Sequence, residues 1–243
     1  MNFLKHYLLP LAMISSPCLA ENTAAVNKEV NNQQASNQEG LQVTNKVKKQ
    51  ASLANEQVRD ELRALLTKLD YFSAQFEQKV TDQEGQVIQT GQGNLVVSKP
   101  NLLHWQTKTP DESLIVSDGD TLWFFDPFVE QVSAYKVDTS VANTPVLLLS
   151  SNDESLWQNF TINKSSDNRY QIHSKDVNAR ITTLELTFEQ QKNSLSKLSS
   201  LSMLDSTGQL SFIALSNVDI TNKPEQALFQ FSIPEGVYLD DQR

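Results

Sequence analysis

Asp118-Gly119 sits between two runs of strand-forming residues, Ser113–Ser117 and Thr121–Phe125. Glycine readily takes the positive φ of a tight turn, so this pair predicts a β-hairpin. The hairpin is unusual in being apolar on both faces. Leu114 and Val116 alternate with Ile115, and Leu122 and Phe124 alternate with Trp123 and Phe125. An antiparallel strand with one wet face would alternate apolar with polar residues. Over the wider stretch Thr109–Val132, therefore, something must cover each face, either a packed second layer or an apolar cavity.

The flanking sequence offers both strands and a helix. Tyr71–Val80 alternates, with Phe72, Ala74, Phe76, Gln78 and Val80 on one side. After the turn Asp82–Gly85, a long strand is predicted over Gln86–Ser98, with Gly91 and Gly93 marking bends or bulges. Lys99-Pro100-Asn101 turns the chain into Leu102–Thr107, and Asp126-Pro127 breaks the hairpin before Val129–Val137. Further strands are expected at Phe160–Asn163, Arg169–Ser174, Ile181–Glu189, Ser194–Asp205, Gln209–Val218 and Ala227–Ser232. Ahead of them, Val47, Ala51, Ala54, Val58, Leu62, Leu65, Leu66 and Leu69 recur at threes and fours, a helical stripe that needs a surface to lie on. Two short helical passages interrupt the strands. One starts at Thr144-Pro145 and carries Val146–Leu149; the other starts at Asn152–Ser155 and runs towards Trp157. So many strands with so few helices predict a mainly β fold: a single curved antiparallel sheet with helices segregated on one face.

The first twenty residues read differently. Lys5, the apolar run Leu8–Ile14 and the small-x-small exit Cys18-Leu19-Ala20 make a secretory signal peptide, 1–20. Cys18 also admits a lipid-modified N-terminus, but Pro17 stands where such sites want a small residue. Residues 21–55 are polar, without aromatics, and rich in Asn and Gln over 21–45; such a composition buries too little apolar area to offset chain entropy, so disorder is expected for most of this segment. The folded domain is expected over 56–243. The only cysteine leaves with the signal, which excludes disulfides and a cysteine nucleophile from the mature chain. The net charge of −9 becomes −10 without Lys5, which argues against nucleic acid and anionic lipid surfaces as partners.

Catalytic chemistry is poorly supplied. His104 and His173 lie in separate strands and lack neighbouring ligands for a metal. No nucleophile elbow, zinc-helix, phosphate-loop or calcium-loop pattern occurs, and no cofactor is implied. Carboxylates in turns, such as Asp118, Asp120 and Asp240-Asp241, read as solvated charge, with a paired-carboxylate hydrolase as the residual enzymatic alternative. What the chain has in quantity is apolar surface: Leu102, Leu103, Trp105, Trp123–Phe125, Phe128 and Val146–Leu149. One sheet and a few short helices can enclose an apolar pocket from such residues.

Several ordered motifs resemble the LolA family, the periplasmic carriers of outer-membrane lipoproteins in Gram-negative bacteria. They include Phe76-Glu77-Gln78, Gly91-x-Gly93-x-Leu95, Lys99-Pro100-Asn101-Leu102-x-x-Trp105, Pro110–Gly119, Thr121–Phe124, Pro127–Gln131, Asn143-Thr144-Pro145, and Pro234-x-Gly236-Val237 before Asp240–Arg243. The resemblance runs from near Leu62 to Arg243. It implies an unclosed β-barrel under a lid of short helices, no catalytic residues, and a monomer. It also implies a carrier that receives lipoproteins from the inner-membrane ABC transporter LolCDE, shields their acyl chains and passes them to the outer-membrane receptor LolB. A membrane-anchored receptor or lipid sensor on the same half-barrel is the alternative, and it requires lipidated Cys18. The residues expected at the acyl-chain cavity and lid are Leu62, Leu66, Leu69, Leu103, Trp105, Leu114, Val116, Trp123, Phe125, Val146 and Leu149. Which strand face lines the cavity stays open, because both are apolar. The resemblance puts an arginine just before the Pro-Asn-Leu turn as a lid latch; here that residue is Lys99, which lacks the planar five-donor fork. Leu103 stands where an aromatic is common and Val146 where the lid often has Phe.

Overall fold

The computed structural model describes residues 53–140, 144–189 and 197–243. The chain divides into two units, Met1–Asn45 and Lys46–Arg243, and every described residue belongs to the second. The expected signal peptide, residues 21–52 of the polar segment and the turn around Gln190–Asn193 lie outside the described residues. Residues 53–55, expected to belong to the polar segment, are already helical.

The first element, α1, spans residues 53–67. Its stripe of Val58, Leu62 and Leu66 follows the helical repeat and faces the sheet, with Leu62 and Leu66 buried. The helix closes with tightened bonds, Lys68 N to Leu65 O at 3.2 Å and Leu69 N to Leu66 O at 2.9 Å, and this delivers Leu69 to the core beyond the last helical residue. Among the described residues, no helix is long and apolar enough to cross a membrane.

Among the described residues, all the strands belong to one sheet. They are β1 (Tyr71–Thr81), β2 (Val87–Ser98), β3 (Leu102–Thr109), β4 (Ser113–Asp118), β5 (Thr121–Asp126), β6 (Gln131–Lys136), β7 (Phe160–Ser166), β8 (Arg169–Ser174), β9 (Ile181–Phe188), β10 (Leu198–Asp205), β11 (Leu210–Asp219) and β12 (Tyr238–Asp241). Their order across the sheet is β12-β6-β5-β4-β3-β2-β1-β11-β10-β9-β8-β7. The sheet is open, with β12 and β7 as its edges, which is the unclosed architecture expected from sequence. Neighbours are antiparallel except β12, which runs parallel to β6. A four-residue helix, α2 (Val137–Ser140), and 3-10 turns at Pro145–Leu149, Glu154–Asn159 and Gln226–Phe229 are the other helical elements among the described residues.

Several expectations shift. The strand predicted from Val129 begins at Gln131, because residues 127–130 form the turn and Glu130 sits at φ 51°. Thr144 stands at the cap of the 145–149 turn without a side-chain cap bond, whereas Asp153 does cap its turn, accepting from Ser155 N at 2.8 Å. Ala227–Ser232 is not a strand. Pro224 and Pro234 bracket it, neither can donate to a ladder, and its centre winds into a 3-10 turn that buries Phe229. The C-terminal strand is instead Tyr238–Asp241, which pairs in parallel with β6.

Candidate functional site

Strand register assigns the two apolar faces. β1 presents Phe72, Ala74 and Phe76 on one face; across β2 and β3 that face continues through Leu95 and Val97 to Trp105 and Leu103, and then to Ile115 and Leu122. Against this inner face lie α1, through Leu62 and Leu66, then Leu69, and the 145–149 turn, which is buried along its whole length. Leu184, Leu186 and Phe188 of β9, Leu201 of β10 and Ile213 of β11 extend the same contiguous cluster across the far half of the sheet. The rings of Phe76 and Trp105 meet at 5.3 Å. The helix and the turn thus share one core with the sheet among the described residues.

Seven of the expected cavity residues come together in this cluster: Leu62, Leu66, Leu69, Leu103, Trp105, Val146 and Leu149. Four do not. Leu114 pairs with Phe125 and Val116 with Trp123, and this set points to the opposite face of the sheet. Period two makes the separation unavoidable once Leu122 faces inward. Their cover is the C-terminal segment. Phe231 lies 5.5 Å from the Trp123 ring and 6.0 Å from Phe125, the Arg243 guanidinium sits 5.1 Å over Trp123, and Phe229 packs with Val96 and Leu102. The contribution of β9 was legible as strict alternation in Ile181–Phe188, but nothing in that pattern says it joins the surface under α1.

Lys99 reaches the helix rather than the 145–149 turn. Its backbone N donates to Asp70 O at 2.8 Å, and its ammonium donates to Leu66 O in the last turn of α1. A cation is well placed there: the helix dipole is negative at this end, and Leu66 O, which already accepts from Leu69 N, uses its second lone pair for Lys99. Burial lowers the Lys99 ammonium from its ordinary value, against the pull of the Asp70 carboxylate. The 145–149 turn is tied by backbone instead. Asn101, at φ 58°, donates its N–H to Ser150 O at 2.8 Å, and Ser117 Oγ donates to Asn101 O. Ser150 and Ser151 both return N–H bonds to Leu147 O at 3.1 Å. Asn101, Ser117 and Ser150 were missed from sequence, since short polar residues in turns carry no distinctive pattern.

Further ties hold the outer side of α1. Glu61 accepts from Lys164 Nζ at 2.7 Å and from the Tyr170 hydroxyl at 2.8 Å, Asn55 Nδ2 donates to Ile162 O at 2.6 Å, and Arg63 pairs with Glu154. The Lys164 bond, helped by Tyr170, holds the Glu61 carboxyl below the usual carboxylate range despite partial burial. Burial and then Glu61 push the Tyr170 phenol up to about 12. A phenol whose folded value is raised keeps its proton where the unfolded chain has lost it, so stability falls as pH rises from about 10 to about 12. Lys99 acts in the opposite sense, because its unfavourable burial is relieved as pH rises. Tyr170→Phe is expected to flatten the alkaline loss of stability, read by urea unfolding from neutral pH to strong alkali; an unchanged slope would show the tie to be absent in solution.

His104, on the outer face, has its Nδ1 buried without a partner among the described residues, and burial lowers its pKa. His173 Nδ1 lies 3.0 Å from Thr183 Oγ1. Among the described residues, no group of His, Cys, Asp or Glu is arranged to hold a metal. The site offers apolar area under a helix and a turn held by few polar bonds.

Comparison with known proteins agrees with the motifs. The profile described as "Outer membrane lipoprotein carrier protein LolA" matches residues 67–232. The chain is 40% identical over 195 residues to a Haemophilus influenzae protein named outer-membrane lipoprotein carrier protein, covering 79% of this chain and 91% of that one. It is 39% identical over 192 residues to the protein of the same name from Glaesserella parasuis, covering 79% and 89%. A third, from Aeromonas salmonicida, is 38% identical over 182 residues, covering 75% and 88%. On the strength of these matches and of the sheet that carries its motifs, the chain belongs to the LolA family of outer-membrane lipoprotein carrier proteins.

Proposed function

We propose that this protein carries acylated lipoproteins across the periplasm, with the apolar cluster beneath α1 and the 145–149 turn as the surface that receives the acyl chains. The observation that carries the reading is the shared core: the helix and the turn bury their apolar residues in one cluster with the inner face of the sheet, so displacing them exposes apolar surface on both sides. The named function of the relatives supports it. An acyl chain in water costs about 0.8 kcal/mol per CH₂, tens of kcal/mol for several long chains, so transit needs a shield. Closed, the lid satisfies its own apolar face on the sheet; opened, it offers that face and the sheet to the ligand. Hold on the ligand must stay modest, because the acceptor has to offer a better apolar site.

In this reading the N-terminal twenty residues export the chain, and it works as a monomer without chemistry of its own. It takes cargo from LolCDE at the inner membrane and gives it to LolB at the outer membrane. The deciding experiment is purification of the mature protein from its own cell envelope. Acylated lipoproteins should co-purify in near-equal amount; their absence from protein competent to bind a fluorescent fatty acid would defeat the proposal. Deleting residues 21–52 should leave transfer to the acceptor intact, since the family resemblance starts beyond them.

Lys99 is the lid latch in this reading, acting through the end of α1. It supplies one carbonyl bond where an arginine fork could supply several. Lys99→Arg is expected to slow release of a bound fluorescent acyl probe, while Lys99→Met should speed it. Stopped-flow release into acceptor vesicles measures both, and identical rates for all three proteins would remove Lys99 from the latch.

A further inference from the structure

The segment between β11 and β12, residues 222–237, forms a strap over the outer face of the sheet. Among residues 222–236 only Phe229 is buried. Three backbone bonds close within the strap: Leu228 N to Glu225 O at 3.1 Å, Gln230 N to Ala227 O at 3.2 Å and Val237 N to Pro234 O at 3.4 Å. What it sets on the sheet is apolar. Phe229 packs with Val96 and Leu102, and Phe231 with Trp123 and Phe125. Val96 and Leu102 frame His104 on that face. Val96 is its partner on β2, Val116 its partner on β4, and Leu102 its neighbour along β3. The 226–229 turn touches both β3 and β4.

Beneath this cover His104 Nδ1 is buried with no partner among the described residues. A neutral imidazole can leave its acceptor nitrogen unpaired, whereas an imidazolium carries a charge and an N–H donor on each nitrogen. The neighbouring groups are otherwise engaged or uncharged. β2 brings Asn94, Val96 and Ser98 to this face. On β3, Gln106 bonds Glu112, with Lys108 beyond it. On β4, Asp118 accepts from Asp120 N, Thr121 N and the Trp123 indole. Lys223 and Glu225 lead into the turn of the strap. None of these groups bonds Nδ1.

We propose that His104 makes the strap a pH-released cover: protonation of its imidazole lifts Phe229 and Phe231 from the sheet and bares the outer apolar face. Burial lowers the His104 pKa while the strap is down, and an imidazole freed into water protonates at its ordinary value of about 6.5. The lifted form therefore binds more protons in mild acid, and closure loses stability as pH falls through that window. Lifting uncovers Leu114, Val116, Trp123 and Phe125, a second apolar surface on the side opposite α1. The switch is independent of whether the inner face carries acyl chains.

Nuclear magnetic resonance on the mature protein reads both halves of the switch. The His104 ring should titrate below its ordinary value in the parent and move back towards about 6.5 in Phe229→Ala, which loosens the cover. Lifting is read from the amide protection of Leu228 and Gln230, corrected for intrinsic exchange, and from the Phe231–Trp123 ring contact. Between about pH 7.5 and about pH 5 the protection should fall about tenfold, under a ceiling of about thirtyfold set by an ordinary imidazole in the lifted form. His104→Phe and His104→Leu keep an apolar group in place without a titrating one, and their protection should stay flat over the same range. A parent His104 that titrates at its ordinary value, or an equal fall in both variants, would overturn the switch. So would a matching loss of protection across β1 and β2, which would mean global unfolding. If neither variant folds, the His104 titration in the parent and in Phe229→Ala decides.

Discussion

Leu149→Glu is expected to cost the folded protein about 3–5 kcal/mol at neutral pH, the range reached when a charge is left buried and uncompensated. Leu149 is 2% exposed at the end of the 145–149 turn, inside the cluster that the turn shares with the sheet. A carboxylate there loses its hydration and finds apolar neighbours, so its pKa rises well above the unfolded value of about 4.3. The sign follows from proton binding. The folded variant holds its proton over a range in which the unfolded chain has released it, so the deficit is smallest in acid and grows as pH rises through the raised value. Leu149→Ala, which leaves a cavity, should cost about 2–5 kcal/mol with no such pH dependence. Urea unfolding of both variants at pH values on either side of neutrality separates charge from cavity. The same glutamate should weaken binding of a fluorescent acyl probe, because it plants charge on the receiving surface. An unfolding midpoint equal to that of the parent would mean that the turn is not packed as described.

Gly93→Ala should be comparably damaging for an unrelated reason. A Cβ at Gly93 would stand 1.9 Å from Gln106 O and 2.7 Å from Phe76 Cζ. The carbonyl belongs to the β2–β3 ladder, where Asn94 pairs with Gln106 and the register already shifts between Gln92 and Gly93. The Phe76 ring is held from the other side by Trp105 at 5.3 Å. Neither neighbour can yield without breaking the ladder or repacking the inner face, and a loss of about 3 kcal/mol or more is expected. Gly91→Ala, 3.0 Å from Thr109 O, should cost clearly less. Phe76→Leu in the Gly93→Ala background should restore only part of the loss, since it relieves the ring contact and not the carbonyl. A double-mutant cycle by chemical denaturation reads that coupling. Wild-type stability in Gly93→Ala would contradict the observed register.

How much of this was legible in the sequence varies by element. The hairpin at Asp118-Gly119 forms as local chemistry requires: Gly119 lies at φ 108°, and Asp118 Oδ1 accepts from Asp120 N at 3.0 Å and Thr121 N at 2.8 Å. The stripe of Val58, Leu62 and Leu66 and the alternation of Phe72, Ala74 and Phe76 likewise identified the buried sides of α1 and β1. The candidate site was partly legible for the same reason, since residues with one apolar face can have only one inward side. The hairpin strands were different. With Leu114, Val116, Trp123 and Phe125 as apolar as Ile115, Leu122 and Phe124, period two identified the two sets without saying which was inward.

By itself the sequence determined the local elements, the need to cover both faces of the Thr109–Val132 hairpin, and the family to which the chain belongs. Tertiary structure decided what does the covering. The inner set meets α1 and the 145–149 turn, while Trp123 and Phe125 meet Phe231 and Arg243 from the far end of the chain. It also decided that the Lys99 ammonium closes the end of α1 and that Asn101 holds the 145–149 turn through Ser150. Turn and strand propensities act over a few neighbouring residues, whereas these contacts join segments far apart in sequence. Their choice depends on register and on which long-range packing buries the most apolar area at once.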